Sequence, residues 1–299
     1  MPNFKVHAAL VLVGIIYGAN YGIAKLAMPD YLMPFGFILV RVTAATLIFW
    51  LLHQFSSSEK INLKRDGWRL ALCGFLGVAA NQLLFFKGLS LTSPINASLI
   101  MTITPVLVLI AGAFLSSERI TWQKALGITL GLGGAALLIT IRGNNASDSG
   151  SSITGDILVF LNATSYGLYL VAVKPLMLRY KSLTVVKWVF LIGWLIIIPF
   201  GFQEAMEADW HSFPTSVWLS IGFVIVFTTC VAYLLNAWAL TYVNSSVVGI
   251  YIYLQPLFAS FIAILLKQDS PTGFTALCAV FIFAGVYLVS KKNKRITTA

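Results

Sequence analysis

Asn162, Ser165, Tyr166 and Tyr169 recur at i, i+3, i+4 and i+7, a spacing that stacks side chains along one face of an α-helix. Tyr17, Asn20 and Tyr21 make a second such stripe, Tyr233 and Asn236 a shorter one, and Asn81 and Gln82 stand side by side. Tyr253 and Gln255 immediately precede Pro256. Amides and phenols donate and accept hydrogen bonds without carrying a fixed charge, which suits them to hold a zwitterionic or polyfunctional small molecule. The same groups can bond one another and pin helices together, so each stripe admits a recognition reading and a packing reading.

Arg41 is the charge most clearly displaced into an apolar stretch. An arginine about two turns deep either meets a ligand or snorkels back toward lipid headgroups. What is missing narrows the chemistry further. There is no HExxH, no GxxxxGK[ST] and no histidine grouped with a serine, so an enzyme active site is not expected. The GLGG run, a look-alike of a phosphate loop, sits in an apolar stretch where small residues serve close packing. Cys73, Cys230 and Cys278 fall in apolar stretches without CxxC spacing and read as packing thiols. No cofactor and no metal site are expected.

The elements that must position these residues are membrane-spanning helices. Of 299 residues 59% are hydrophobic and only 10% charged, and mean hydropathy is +0.88. A soluble domain carries about 25% charged residues. A hydrocarbon core about 30 Å thick takes roughly 20 apolar residues per crossing. Ten such stretches follow one another: α1 (Val6 to Met28), α2 (Pro34 to Leu52), α3 (Trp68 to Leu89), α4 (Pro94 to Leu115), α5 (Trp122 to Ile141), α6 (Asp156 to Met177), α7 (Leu183 to Phe202), α8 (Val217 to Tyr242), α9 (Ser246 to Leu266) and α10 (Thr272 to Ser290). The expected fold is all-α and polytopic. The first stretch is too long for a signal-peptide core and has no small-residue cleavage site after it, so it is expected to be a retained helix.

Charge sets the orientation. With a cytoplasmic N-terminus, the cytoplasmic side receives Lys5, Lys60, Lys64, Arg65, Arg69, Arg119, Lys124, Arg179, Lys181, Lys187 and the tail Lys291, Lys292, Lys294 and Arg295. The other side receives Arg142 and Lys267, with Lys25 and Lys87 near helix ends. Both termini are therefore expected in the cytoplasm of a cell whose inner membrane holds the protein. The basic tail reads as a topology anchor, so the net charge of +10 implies no nucleic-acid partner. Trp68, Trp122, Trp210 and Trp218 fit interfacial belts.

The second half lies on the first. A shift of 149 residues puts Tyr17 on Tyr166, Gly18 on Gly167, Lys25 on Lys174, Met28 on Met177 and Tyr31 on Tyr180. A shift of 151 puts Pro105 on Pro256, Glu118 on Asp269, Thr121 on Thr272 and Gly134 on Gly285. Two units are expected, residues 1–150 and 151–299. Because five is odd, the second five-helix unit enters the membrane from the opposite side, and inverted repeats of this kind place a site near the midplane. Pro105 and Pro256 each clash with the carbonyl four residues earlier, at Met101 and Ile252, so both are candidate hinges, or static bends that improve packing.

The stretch TSPINASLIMTITPVLVLIAGAFLSSERITWQKALGITLGLGGAALLI and its counterpart VNSSVVGIYIYLQPLFASFIAILLKQDSPTGFTALCAVFIFAGVYLV resemble the drug/metabolite transporter superfamily, specifically its ten-helix EamA-type members. The first shows the family's small-residue helix with a central proline, its acidic turn and its glycine-rich last helix. The second departs from that pattern, with Asp269 and Ser270 where the first has Glu118 and Arg119. The resemblance implies export or exchange of small metabolites such as amino acids, with a receptor that binds without transporting as the alternative. The candidate substrate-binding residues are Tyr17, Asn20, Arg41, Asn81, Asn162, Tyr166, Tyr169, Tyr233, Asn236 and Gln255, in a cavity between α1, α3, α6, α8 and α9. No Asp or Glu falls in the central part of a helix, and His7, His53 and His211 are peripheral, which points to movement without proton coupling.

Overall fold

A computed structural model describes residues 2–56, 59–116, 152–243, 245–268 and 272–290, with scattered positions between 122 and 137. Most of α5, the acidic turns at Glu118 and Asp269, and the tail from Lys291 onward lie outside the described residues. Among the described residues every regular element is helical. The observed bounds are Pro2–Lys25 for α1, Pro34–Ser56 for α2, Ile153–Met177 for α6, Ser182–Glu207 for α7 and Gly273–Ser290 for α10. Eight helices among the described residues, α1 to α4 and α6 to α9, are long and apolar enough to cross a membrane.

Among the described residues four helices are irregular, and in matching places. α3 runs Leu63–Gly74, widens into a π-turn at Phe75–Ala79, and continues as Ala80–Leu91. α8 runs Thr215–Phe223, widens at Val224–Val231, and continues as Ala232–Tyr242. Phe75 and Val224 are related by the 149-residue shift. α4 is split into Pro94–Met101 and Thr104–Ser116, and α9 into Ser245–Ile250, a 3-10 turn at Tyr251–Leu254, and Gln255–Leu265. Both interruptions lie just before the repeat-related prolines, where an N–H is missing and a carbonyl is displaced. In α4 the Met101 carbonyl accepts from Thr104 Oγ1 at 2.7 Å, so the freed acceptor is taken up locally. The equivalent of Thr104 in α9 is Gln255, whose side chain accepts from Tyr21.

Packing divides the bundle in a way that cuts across the halves. α1 packs on α8 and α9, α6 packs on α3 and α4, and α2 lies along α7. The first contact rests on missing side chains. A Cβ on Gly14 would sit 3.1 Å from Leu254 Cβ, one on Gly18 2.5 Å from Phe258 Cβ, and one on Gly22 2.7 Å from Ile262 Cγ2. This stripe at i, i+4 and i+8 lets α1 approach α9 at backbone distance, the usual source of helix association in lipid, where no hydrophobic drive separates helix from solvent. Large apolar side chains such as Leu47, Leu219 and Phe261 point outward, and Trp68, Trp122 and Trp218 are exposed. Cys73, Cys230 and Cys278 are free and buried.

Candidate functional site

The π-turns place the polar side chains. Widening a helix by one residue displaces carbonyls from their usual partners, and inside a membrane each must find another. In α3 they find side chains from the neighbouring helices. Leu76 O accepts from Ser165 Oγ at 2.7 Å and Gly77 O from Tyr233 Oη at 3.0 Å, and just past the π-turn Asn81 O accepts from Asn162 Nδ2 at 2.7 Å. Ser165 and half of Asn162 thus serve packing. Tyr169 serves it too, because its ring fills the notch at Gly77, where a Cβ would sit 2.3 Å from Tyr169 Cδ2.

Beside this junction lies a cavity of about 60 Å³ as measured by the room open to the centre of a water molecule. One water needs roughly 10–15 Å³ on that measure, so the space suits a compact solute. Tyr17, Asn20 and Tyr21 of α1, Arg41 of α2, Asn81, Gln82, Phe85 and Phe86 of α3, and Met101 of α4 line it, with Asn162 and Tyr166 of α6, Thr228 and Tyr233 of α8 and Gln255 of α9. Eight of the ten candidates from the sequence are brought together here. Asn236 instead lines a small adjoining space of about 10 Å³ with Tyr17, Tyr166 and Gln255, and its Nδ2 lies 3.3 Å from both the Tyr17 and Tyr166 hydroxyls. Tyr169 lines neither. α2 and α4 join the five helices that the stripes had suggested.

Arg41 is 2% exposed and does not snorkel. Its Nε donates to Thr229 Oγ1 at 2.9 Å, and its guanidinium carbon lies 4.7 Å from the centre of the Phe86 ring. Among the described residues its two terminal nitrogens have neither a hydrogen-bond acceptor nor a carboxylate. No acidic side chain among the described residues lines the cavity. The opposite polarity is present as unused acceptors: among the described residues Asn20 Oδ1 and Asn162 Oδ1 are buried without a hydrogen-bond partner. Other polar atoms are committed, with Gln82 Nε2 bonded to Asn81 Oδ1 at 2.9 Å and to Tyr233 Oη at 2.5 Å, and Tyr21 Oη to Gln255 Oε1 at 2.9 Å.

Sequence reasoning passed over Phe85, Phe86, Met101 and Thr228. A signal existed for α8, since Thr229, Tyr233 and Asn236 fall at i, i+4 and i+7. The π-turn at Val224–Val231 shifts the phase before Tyr233, so Thr228 and not Thr229 lines the main cavity with Tyr233, while Asn236, further along the regular helix, lines the smaller one. Phe85 and Phe86 look like ordinary core aromatics until Arg41 is seen over one of them.

The EamA-like transporter family matches residues 5–140 and 153–291. An uncharacterized transporter of Archaeoglobus fulgidus is 28% identical over 298 residues, 97% of this chain and 99% of its own length. A probable terminal-alkyne amino-acid exporter of Streptantibioticus cattleyicolor is 24% identical over 95% of this chain and 93% of its own. A solved crystal structure superposes with a TM-score of 0.63 at 17% identity, covering 95% of this chain and 96% of that one, which shows a shared fold. Family, apolar helices and buried polar cavity agree on a multi-pass membrane transporter, and the chain belongs to the EamA-like transporter family.

Proposed function

We propose that this transporter exports or exchanges small carboxylate-bearing metabolites, zwitterionic amino acids among them, across the inner membrane. The observation that carries this reading is the buried Arg41 guanidinium whose terminal nitrogens have no partner among the described residues. An uncompensated charge in a low-dielectric site is costly, and a carboxylate entering the cavity would relieve it with paired N–H···O bonds. Asn20 Oδ1 and Asn162 Oδ1 would accept from an ammonium group on the same molecule. The Streptantibioticus relative, named as a probable amino-acid exporter, supports the same substrate class. The cavity lies between α1, α2, α3, α4, α6, α8 and α9, with Pro105 and Pro256 as the hinges of two inverted five-helix units.

Counterflow of a panel of labelled metabolites in proteoliposomes tests this. Exchange of amino acids is expected, and it should persist with the proton gradient collapsed, because no carboxylate among the described residues lines the cavity. Binding without movement would make the protein a receptor and overturn the reading. Accumulation driven by a pH jump alone would overturn the uncoupled mechanism.

Orientation follows from the Lys/Arg asymmetry. Reporters fused after Ser58 and after Thr298 should be active in the cytoplasm, and reporters inserted near Ser149 or Ala208 in the periplasm. A periplasmic signal from the C-terminal fusion would contradict ten crossings with both termini inside.

A further inference from the structure

Lys25 and Lys174, equivalent under the 149-residue shift, stand in the last turns of α1 and α6. Lys25 Nζ donates to Thr92 O at 2.6 Å, where α3 passes into α4. Lys174 Nζ donates to Val243 O at 2.6 Å and also to Leu240 O, where α8 passes into α9. The acceptors are equivalent as well, because the shift of 151 puts Thr92 on Val243.

Capping of the helix preceding each turn would account for one lysine. It does not account for which bodies the pair joins. α1 packs with α8 and α9, yet Lys25 reaches to the end of α3, and Thr92 Oγ1 in turn donates to Asp156 of α6. α6 packs with α3 and α4, yet Lys174 reaches to the end of α8. Each bond therefore crosses from one packing group to the other. They do so at opposite ends of the bundle. Ser152 N donates to Leu91 O at 2.8 Å, which sets the start of α6 at Ile153 beside Thr92, and Lys174 lies about 32 Å further along that helix. The cavity lies where the same two groups meet, with Arg41 of α2 completing its wall.

We propose that Lys25 and Lys174 are the two gate latches of the transport cycle, each holding the α1–α8–α9 group against the α3–α4–α6 group at one membrane face. One latch opens while the other stays closed, and the cavity then communicates with the face whose latch has opened. A lysine suits this role because its ammonium binds carbonyl oxygens strongly in a dry setting and, once released, finds water at the membrane surface. The proposal rests on the transporter reading but not on the substrate class.

The test is side-specific labelling of a cysteine at position 228, introduced as Thr228→Cys with the three native cysteines replaced by serine. A membrane-impermeant thiol reagent is applied to right-side-out and to inverted vesicles carrying the parent, Lys25→Met or Lys174→Met. Lys25→Met is expected to raise labelling from one face roughly tenfold and Lys174→Met from the opposite face, with Lys→Arg at either position near the parent. Unchanged labelling in both variants, or a rise from both faces in either, would overturn the latches and leave two static caps. Thermal melting separates a gate effect from unfolding, since a folded variant labelled from one face alone has changed its opening. No substrate enters the assay, so failure of the amino-acid reading in counterflow and failure of the latches are distinguishable.

Discussion

Replacing Arg41 with methionine is expected to reduce amino-acid transport about a hundredfold while leaving the folded protein intact. Hydrogen bonds to a charged group are worth roughly 1.5–3 kcal/mol, and a bidentate carboxylate contact lies toward or beyond the upper end of that range. Three kcal/mol is about two factors of ten in affinity. Stability should move little or rise, because removing a buried charge that lacks a carboxylate relieves a desolvation cost, and Thr229 Oγ1, which loses the Nε bond, still donates to Val224 O. Arg41→Lys should be intermediate, since a point charge replaces a planar fork and the Nε bond to Thr229 is lost. The measurements are counterflow normalised to folded protein and thermal melting of the same preparations. Wild-type transport by Arg41→Met would show that the guanidinium faces no substrate. The loss should also be confined to carboxylate-bearing solutes, so an equal loss for a neutral amide analogue would point to a collapsed cavity.

Gly18→Leu is expected to destabilise the bundle by about 3 kcal/mol and to cut the yield of folded protein severely. The position already leaves no room for a methyl group, with Phe258 Cβ 2.5 Å and Gln255 O 3.0 Å from where a Cβ would stand. Leucine would have to push α1 away from α9 and drag Tyr21 off Gln255. Gly222→Leu is the matched control, because nothing lies within 4 Å of a Cβ there and the residue faces outward on α8. Detergent-extracted yield and melting temperature compare the two. Equal behaviour would mean that α1 does not pack on α9 through this stripe.

These two residues show what the sequence could and could not disclose. Arg41 stood out in the chain because charge is rare in apolar stretches, but whether it reached lipid headgroups or a cavity depended on the rotation of α2 about its axis, which no spacing in α2 reveals. Gly14, Gly18 and Gly22 fall at i, i+4 and i+8, a spacing the sequence reading did not single out and one that does not say which helix they meet. The stripes on α1 and α6 led to the cavity because period 3.6 holds in both helices. It fails in α3 and α8, where a π-turn is a property of backbone hydrogen bonding without a side-chain signature. Tyr169 obeyed its stripe and still left the cavity wall, since Gly77 on another helix offers its ring a notch. The repeat related Lys25 to Lys174, but correspondence between halves says nothing about which bodies a bond joins.

The exchange of α1 and α6 between the halves bears on how the chain is made. Helices leave the ribosome in order, at about 5–20 residues per second, and α1 must wait for α8 and α9 before its glycine face has a mate. From Lys25 to Leu265 that interval is on the order of ten to fifty seconds, during which α1 stands in the bilayer with Asn20 and its bare glycine face unsheltered. α6, by contrast, finds α3 and α4 already inserted and can dock at once. Insertion and assembly are therefore separate events for the first helix and nearly simultaneous for the sixth. A nascent chain cut short before α8 would carry a finished α3–α4–α6 group and an orphaned first helix, a defect that membrane quality control can recognise by an exposed amide in hydrocarbon.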